Sequence, residues 1–517
     1  MKRRKTLLAS LAVVLASFMF AGCSSGGGNS NEGTSSTETT ETKSGDNSST
    51  SGKPLLVRYV VPGTEPKDSP EVDKLITEKM QKDGLNLEFH RIYIPWDVWQ
   101  QKTNIMMSTG EEFELIHIMK DVYPTANYVS KSALVPLNDL LDKYGETLKS
   151  IITPEIWDIA SVNGQIFEIP VMFRDFAQWN NAITIQKQLL DKYNLPVPST
   201  KDDLLNSIST VVKNEKDPDL HVYFKTNLTT PDSIHRDYES FPFIVRDNLF
   251  FIDNEGQVKP WLKSDEFKND SAFYRKLYTS GITHPDALTL PHEISSKMSE
   301  GKSPMDLFSN LFERDALKKK FPQIEYQDVI FNPEKPSWRG EWAVMNSNGI
   351  SSTSPHPEAG VMFFNWLYSN QENYDLLNYG IKGKHWNPVG DRELEWIESA
   401  DPSNPDYSFG DWEIGHHSLV RVIAGASDEL KQAMFDFDPK AINSIATGFT
   451  FDSSKVTAEY TNVLAEVERS VFPIKYGIVD YETGYPGMIK AMESAGYDKV
   501  VEEYKQQFDA WLKQKKE

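Results

Sequence analysis

Cysteine occurs once in the 517 residues, at Cys23. A solitary thiol has no partner within the chain, so no internal disulfide can brace the fold. Positive charge is also in short supply, with 54 Lys and Arg against 75 Asp and Glu and a formal net charge of −21. An acidic surface repels phosphate backbones and anionic headgroups, which argues against nucleic acid and against direct adhesion to acidic lipid. Long apolar runs are missing as well. The uncharged stretch Leu7 to Ala21 is fifteen residues, short of the roughly 20 needed to cross a bilayer as a helix. From Ser24 to Lys53, thirty residues contain no Ala, Val, Ile, Leu, Met, Phe, Trp, Tyr or Cys. Nothing there can be buried, and a disordered segment is expected.

What surrounds Cys23 gives the thiol a use. Lys2, Arg3, Arg4 and Lys5 precede the apolar run, and the small residues Ala21 and Gly22 follow it, as in a secretory signal peptide. "FAGC" resembles the lipobox of bacterial lipoproteins, with Phe20 in place of the usual Leu. The resemblance implies that residues 1–22 are a signal peptide and that Cys23 becomes the mature amino terminus, carrying a diacylglycerol. Residues 23–53 are then a lipid-anchored Ser/Gly/Thr linker. Acyl chains contribute about 0.8 kcal/mol per buried CH₂, and a thirty-residue flexible coil reaches on the order of 30 Å. The expected address is the extracytoplasmic face of a cell membrane, at a surface of Gram-positive type. The implied partners there include the membrane itself, through the anchor.

After Pro54, "LLVRYVV" reads as a buried strand ending at the turn signal Pro62-Gly63. "SPEVDKLITEKMQKDG" reads as a helix with Ser69 as N-cap, Pro70 at its first position and Gly84 beyond its end. Val72, Leu75, Ile76 and Met80 fall on one face of it. "LNLEFHRIYI" is a second strand, a helix follows around Trp99 to Met107, and "FELIHIM" is a third strand. Alternating strand and helix predicts a parallel α/β unit that binds ligands beyond the carboxyl ends of its strands. Those ends carry Pro62-Gly63, Ile94-Pro95-Trp96 and Lys120 to Tyr123. The final "DKVVEEYKQQFDAWL" places Val501, Tyr504, Phe508, Trp511 and Leu512 on one helical face, to be packed on its own domain.

Several longer stretches, in order, resemble a known family. They are "STGEEFELIHIMKD", "KSALVPLNDLLDKYG", "TPEIWDIASVNGQIFEIPV", "SSTSPHPEAGVMFFNWLYSNQENYDLLNYGIKGKHW" and the terminal "FPIKYGIVDYETGYPGMIKAMESAGYDKVVEEYKQQFDAWL". Together they are similar to the family 1 extracellular solute-binding proteins of carbohydrate ABC transporters, in their longer lipoprotein branch. The resemblance implies an α/β clamshell of type II, with two lobes, each a mostly parallel sheet flanked by helices, joined by crossing strands. It places lobe one at 54–175 plus 340–392 and lobe two at 176–339 plus 393–517. It also implies a monomer that captures a sugar or oligosaccharide and hands it to ABC permease subunits by hinge closure, without a cofactor.

Signatures of chemistry are scarce. "PHEIS" at Pro291 to Ser295 starts like a zinc-protease helix, but Ser296 stands where the second histidine belongs. His416 and His417 are adjacent and are expected to point apart, so no metal site is predicted. "GIKGKH", Gly380 to His385, lacks the spacing and the Ser or Thr of a phosphate loop; Gly380 there is expected to cap a helix. Binding residues are plentiful. Aromatics make up 12% of the chain, and many tryptophans sit beside Asp, Asn or Arg. Such a mixture suits a sugar, whose C–H face stacks on a flat ring while its hydroxyls take polar partners. Trp96, Asp97, Asp121 and Tyr123 follow strands of the first unit; Arg174, Asp175 and Trp179 lie at the implied first crossing, Trp342 and Asn346 at the second, and Trp386 at a possible rim. The competing reading is an anchored glycan-degrading enzyme, which requires a pair of carboxylates that no motif singles out among 75. A surface-display or sensory protein without a transport partner is a third.

Overall fold

The computed structural model describes residues 52–517 except 121, 173–181, 224–231, 287–296, 298–299, 308–310, 321, 337, 340–343, 400–404, 437–440 and 517. Cys23 and the linker therefore lie outside the described residues. In chain order come β1 (Leu55–Pro62), α1 (Ser69–Lys82), β2 (Leu87–Ile94), α2 (Trp99–Thr109), β3 (Leu115–Met119) and β4 (Glu168–Pro170). Next are β5 (Ile183–Gln186), α3 (Lys201–Glu215), α4 (Asp265–Thr279), β6 (Met305–Asp306), α5 (Leu311–Lys320) and β7 (Tyr326–Val329). The chain returns with β8 (Asn346–Ile350), α6 (Pro357–Leu367), α7 (Gln371–Asn378), α8 (Asp411–Ile414) and α9 (Asp428–Phe435), and closes on α10 (Tyr481–Ala495) and α11 (Tyr497–Lys516).

The first sheet has the order β2-β1-β3-β8-β4. β1 runs parallel to β2 and β3, as the alternation of strand and helix predicts, while β8 is antiparallel to both neighbours. β1 is apolar at almost every position because both its faces are covered. Val57, Tyr59 and Val61 meet Val72, Ile76 and Met80 of α1 and Phe363 and Phe364 of α6. Val60 points the other way, toward Trp99 and Met106 of α2 and Ile116 and Ile118 of β3. One detail of α1 differs from expectation. Ser69 is the first helical residue rather than the cap, and its hydroxyl lies 3.1 Å from the Tyr93 hydroxyl instead of capping the turn.

The second half is not built on a parallel sheet. β6-β5-β7 is wholly antiparallel, and so is a sheet of Phe243–Arg246, Phe250–Asp253 and Val258–Pro260. The expectation of a mostly parallel sheet in each half is thus corrected to mixed and antiparallel sheets. Asp247 and Asn248, both with positive φ, make a tight hairpin turn, which joins only antiparallel neighbours. Two cores lie here, one around β5, α3 and α4 and one around the hairpin and α11, with Phe472 packed against both. In α11, Val501, Tyr504 and Phe508 are buried with Trp511 and Leu512 beside them, the face read from the sequence.

Residues 393–434 also need correction. Leu394, Tyr407, Ile414, Val420, Leu430 and Met434 belong to the core of the first sheet, so this stretch sits with the first half and not the second. The apolar face of α9 is what places it there. α5 reaches across from the other half: Leu311 enters the same core, and Asp315 accepts the Ser427 backbone N–H at 3.0 Å.

Candidate ligand-binding site

The parallel strands β1, β2 and β3 bring their carboxyl ends to one edge, and Asn346, opposite Met119, starts β8 at that same edge. Pro95 ends β2, and the chain enters a single turn, Trp96–Val98, before α2. Proline cannot continue the ladder, and Trp96 is thrown outward, 57% exposed. Trp412 of α8 lies against it, ring centroids 5.7 Å apart and planes tilted by 36°. Gly410 makes this possible, since a Cβ there would stand 2.2 Å from Trp412 Nε1.

Behind the indoles is a buried polar group. His117 of β3 meets Trp412 edge-on at 4.9 Å between ring centroids. Its Nε2 lies 3.2 Å from Asn346 Oδ1 and its Nδ1 3.3 Å from Asn348 Oδ1. The Tyr59 hydroxyl donates to Asn348 Oδ1 at 2.5 Å, and the Asn348 amide donates to the Glu413 carbonyl at 2.9 Å. Burial pushes the His117 imidazole down to about 4, so the ring is neutral at ordinary pH. The Glu413 side chain is buried too, one carboxyl oxygen has no hydrogen-bond partner among the described residues, and desolvation lifts its pKa to about 8. Nearby, buried Glu168 binds Lys120 and Thr125 and accepts the Ser347 hydroxyl at 2.7 Å.

The edge therefore offers two rings for an apolar face and polar groups beside them. It contains no group of three His, Cys, Asp or Glu able to hold a metal among the described residues. His416 and His417 do not point apart as expected; their ring centroids are 4.5 Å apart, with His416 Nδ1 2.7 Å from the Ser418 hydroxyl.

Of the residues singled out from the sequence, Trp96, Asp97 and Asn346 come to this edge. Asp97 is exposed and Asn346 half-buried. Tyr123, half-buried beyond the end of β3, packs against Tyr128, ring centroids 4.7 Å apart, beside the core on the α2 side. Trp386 is not a rim residue. It is 3% exposed, it pairs with Trp396 across a short hairpin, and its indole N–H is spent on the Gly380 carbonyl. Asp121, Arg174, Asp175, Trp179 and Trp342 lie outside the described residues. His117, Asn348 and Glu413 gave no sequence signal. Trp412 had one, an aromatic in the polar stretch "SFGDWEIG", but nothing local placed it at a strand end.

Comparison with known proteins adds to this geometry. The profile of the family described as "Bacterial extracellular solute-binding protein" matches residues 63–374, and a domain of unknown function, DUF3502, matches 445–513. A carbohydrate ABC transporter substrate-binding protein of Streptococcus pneumoniae is 25% identical, over 99% of both chains. A polygalacturonan/rhamnogalacturonan-binding protein of Bacillus subtilis is 22% identical over 82% of this chain and 86% of its own. Among solved structures, the N-glycan transport solute-binding protein of Streptococcus pneumoniae superposes with a TM-score of 0.72 at 20% identity, covering 89% of this chain and all of the other. That likeness establishes the fold, an α/β solute-binding architecture of type II.

Proposed function

Since the chain belongs to the bacterial extracellular solute-binding protein family, we propose that it captures a sugar or oligosaccharide outside the cell and delivers it to an ABC importer. The observation that carries the sugar reading is the indole pair at the carboxyl edge of the first sheet, exposed Trp96 against half-buried Trp412. Two tilted rings suit the C–H faces of a saccharide, and the amides and carboxylate beside them suit its hydroxyls. The full-length pneumococcal relative is named as a carbohydrate-binding component of a transporter, not as an enzyme.

In this reading one lobe runs from β1 to Met172 and from Val344 to Met434, and the other from Ile183 to Phe331 and from Ala446 to Leu512. The last described contact before the first crossing pins Met172 to Gly415 and His417 through two backbone hydrogen bonds. Arg174, Asp175, Trp179 and Trp342 lie in sequence between these stretches, outside the described residues. Closure about the crossings adds the second lobe's contacts to a ligand already stacked on the first, and it is favoured only by the ligand's greater affinity for the closed form. Cys23 carries the lipid, the linker spans the gap to the membrane, and the closed monomer presents both lobes to the permease subunits. Among the described residues no helix is long and apolar enough to cross a membrane.

Calorimetry with a panel of neutral oligosaccharides tests the reading. Trp96→Ala and Trp412→Ala should each weaken the best ligand about tenfold, the scale of one lost aromatic contact, while Trp96→Ala leaves the melting temperature unchanged. Unaltered affinity in both variants removes the pair from the site.

A further inference from the structure

His117 is wholly buried, and both its ring nitrogens face amide oxygens, Nδ1 toward Asn348 and Nε2 toward Asn346. A neutral imidazole carries one N–H and satisfies only one of them. Burial keeps the ring neutral. Asn348 is held in place on both sides: its NH₂ donates to the Glu413 carbonyl, and its oxygen takes the Tyr59 hydroxyl. Turning it over would set two carbonyls against each other. Nδ1 therefore holds the proton, and Nε2 is a lone pair.

Asn346 is the group that gives way. Its amide has equal-shaped ends, it is half-buried at the start of β8, and it makes no other side-chain hydrogen bond among the described residues. Turned over, it donates NH₂ to Nε2 and presents its carbonyl on the solvent side. Asp97, exposed and without an ion pair among the described residues, adds a carboxylate at the same edge. Lys120 and Lys131, which follow β3 in sequence, are committed elsewhere. Lys120 pairs with buried Glu168, and Lys131 stands 5.0 Å over the Tyr123 ring.

We infer that this face of the site is an array of acceptors, Asn346 Oδ1 and the Asp97 carboxylate, so that it takes hydroxyl donors and selects neutral glycans over those bearing uronic acids. The inference rests on the sugar-binding reading above and narrows it. A uronate carboxylate brought against Asn346 Oδ1 and the Asp97 carboxylate would face oxygens and lose its hydration, and those two groups offer it no donor in return.

Two measurements on the full chain test it. Nitrogen-15 NMR of the imidazole rings, with His117 identified by its loss in His117→Gln, should show the neutral Nδ1–H tautomer between pH 6 and 8. An Nε2–H or charged ring overturns the assignment. Calorimetry with neutral mannooligosaccharides and with oligogalacturonates and oligomannuronates of matched length should find the uronates at least about 30-fold weaker. A uronate that binds as tightly as the neutral members overturns the inference and leaves sugar binding intact, whereas silence from both panels removes the sugar reading and this inference with it. Asn346→Leu, shown to be folded by its melting curve, should weaken the neutral ligand about tenfold; unchanged affinity counts against the acceptor.

Discussion

Glu413 shows how much one side chain depends on its surroundings. Its carboxyl is buried next to Trp412, one oxygen has no hydrogen-bond partner among the described residues, and desolvation lifts its pKa to about 8, against a partial offset from Arg91. The folded chain therefore holds a proton that the unfolded chain releases at the ordinary carboxylate value of 4.5. Stability contributed this way is complete below that value and falls as pH climbs toward 8, by up to about 1.4 kcal/mol per pH unit. Glu413→Gln should match the parent in urea melts at pH 5 and exceed it at pH 8. An equal difference at both pH values would mean that the carboxyl titrates normally. The same residues mark the limit of sequence reading at this scale. Trp96 was legible because a strand end and a proline placed it. Trp412 lies far along the chain from Trp96, and only the folded contact pairs them. Trp386 misled because its polar neighbours, Lys384, His385 and Asn387, conceal a hairpin register that turns the indole inward.

At the level of elements, α1, β2 and the 407–409 segment are tied by one buried cation. Arg91 is bound by Asp73 at 2.7 Å, donates to the Tyr407 hydroxyl at 2.9 Å and stacks between Tyr407 and Phe409. Removing the anion strands the guanidinium, so Asp73→Ala should cost about 3–5 kcal/mol in denaturant unfolding. A loss below about 1 kcal/mol would show that water reaches the site. Gly380 ends α7 with φ +79°, and its amide donates to the Asp375 carbonyl. A Cβ there would lie 2.4 Å from His385 Nδ1 and 2.6 Å from Tyr407. Gly380→Ala should lower stability by about 1–3 kcal/mol, read as a fall in melting temperature; an unchanged melt would show that the turn relaxes. This cap was legible, as were β1, α1, β2, α2 and β3, because helix periodicity and strand composition are local signals. The antiparallel sheets of the second half were not. Their strands are two to four residues long, and β5 finds its partners β6 and β7 more than a hundred residues away.

Over the whole molecule, the family pattern put residues 393–434 with the wrong core, because they carry no marker of which core they join until their apolar faces are seen buried. A ligand that binds only the native state should stabilise the protein by about 2.7 kcal/mol at a hundred times its dissociation constant, visible as a rise in melting temperature that grows with ligand concentration. The position of β8 carries a further consequence. It separates β3 from β4 and hydrogen-bonds to both, yet it arrives from residue 346. A ribosome delivers the amino end first, so the two flanks of that gap stay raw until the chain has been made past residue 350. Export in an unstructured form suits such a design, since assembly cannot keep pace with synthesis. A polypeptide cut short before residue 346 would meet the cell exterior with open strand margins that invite its neighbours to stick.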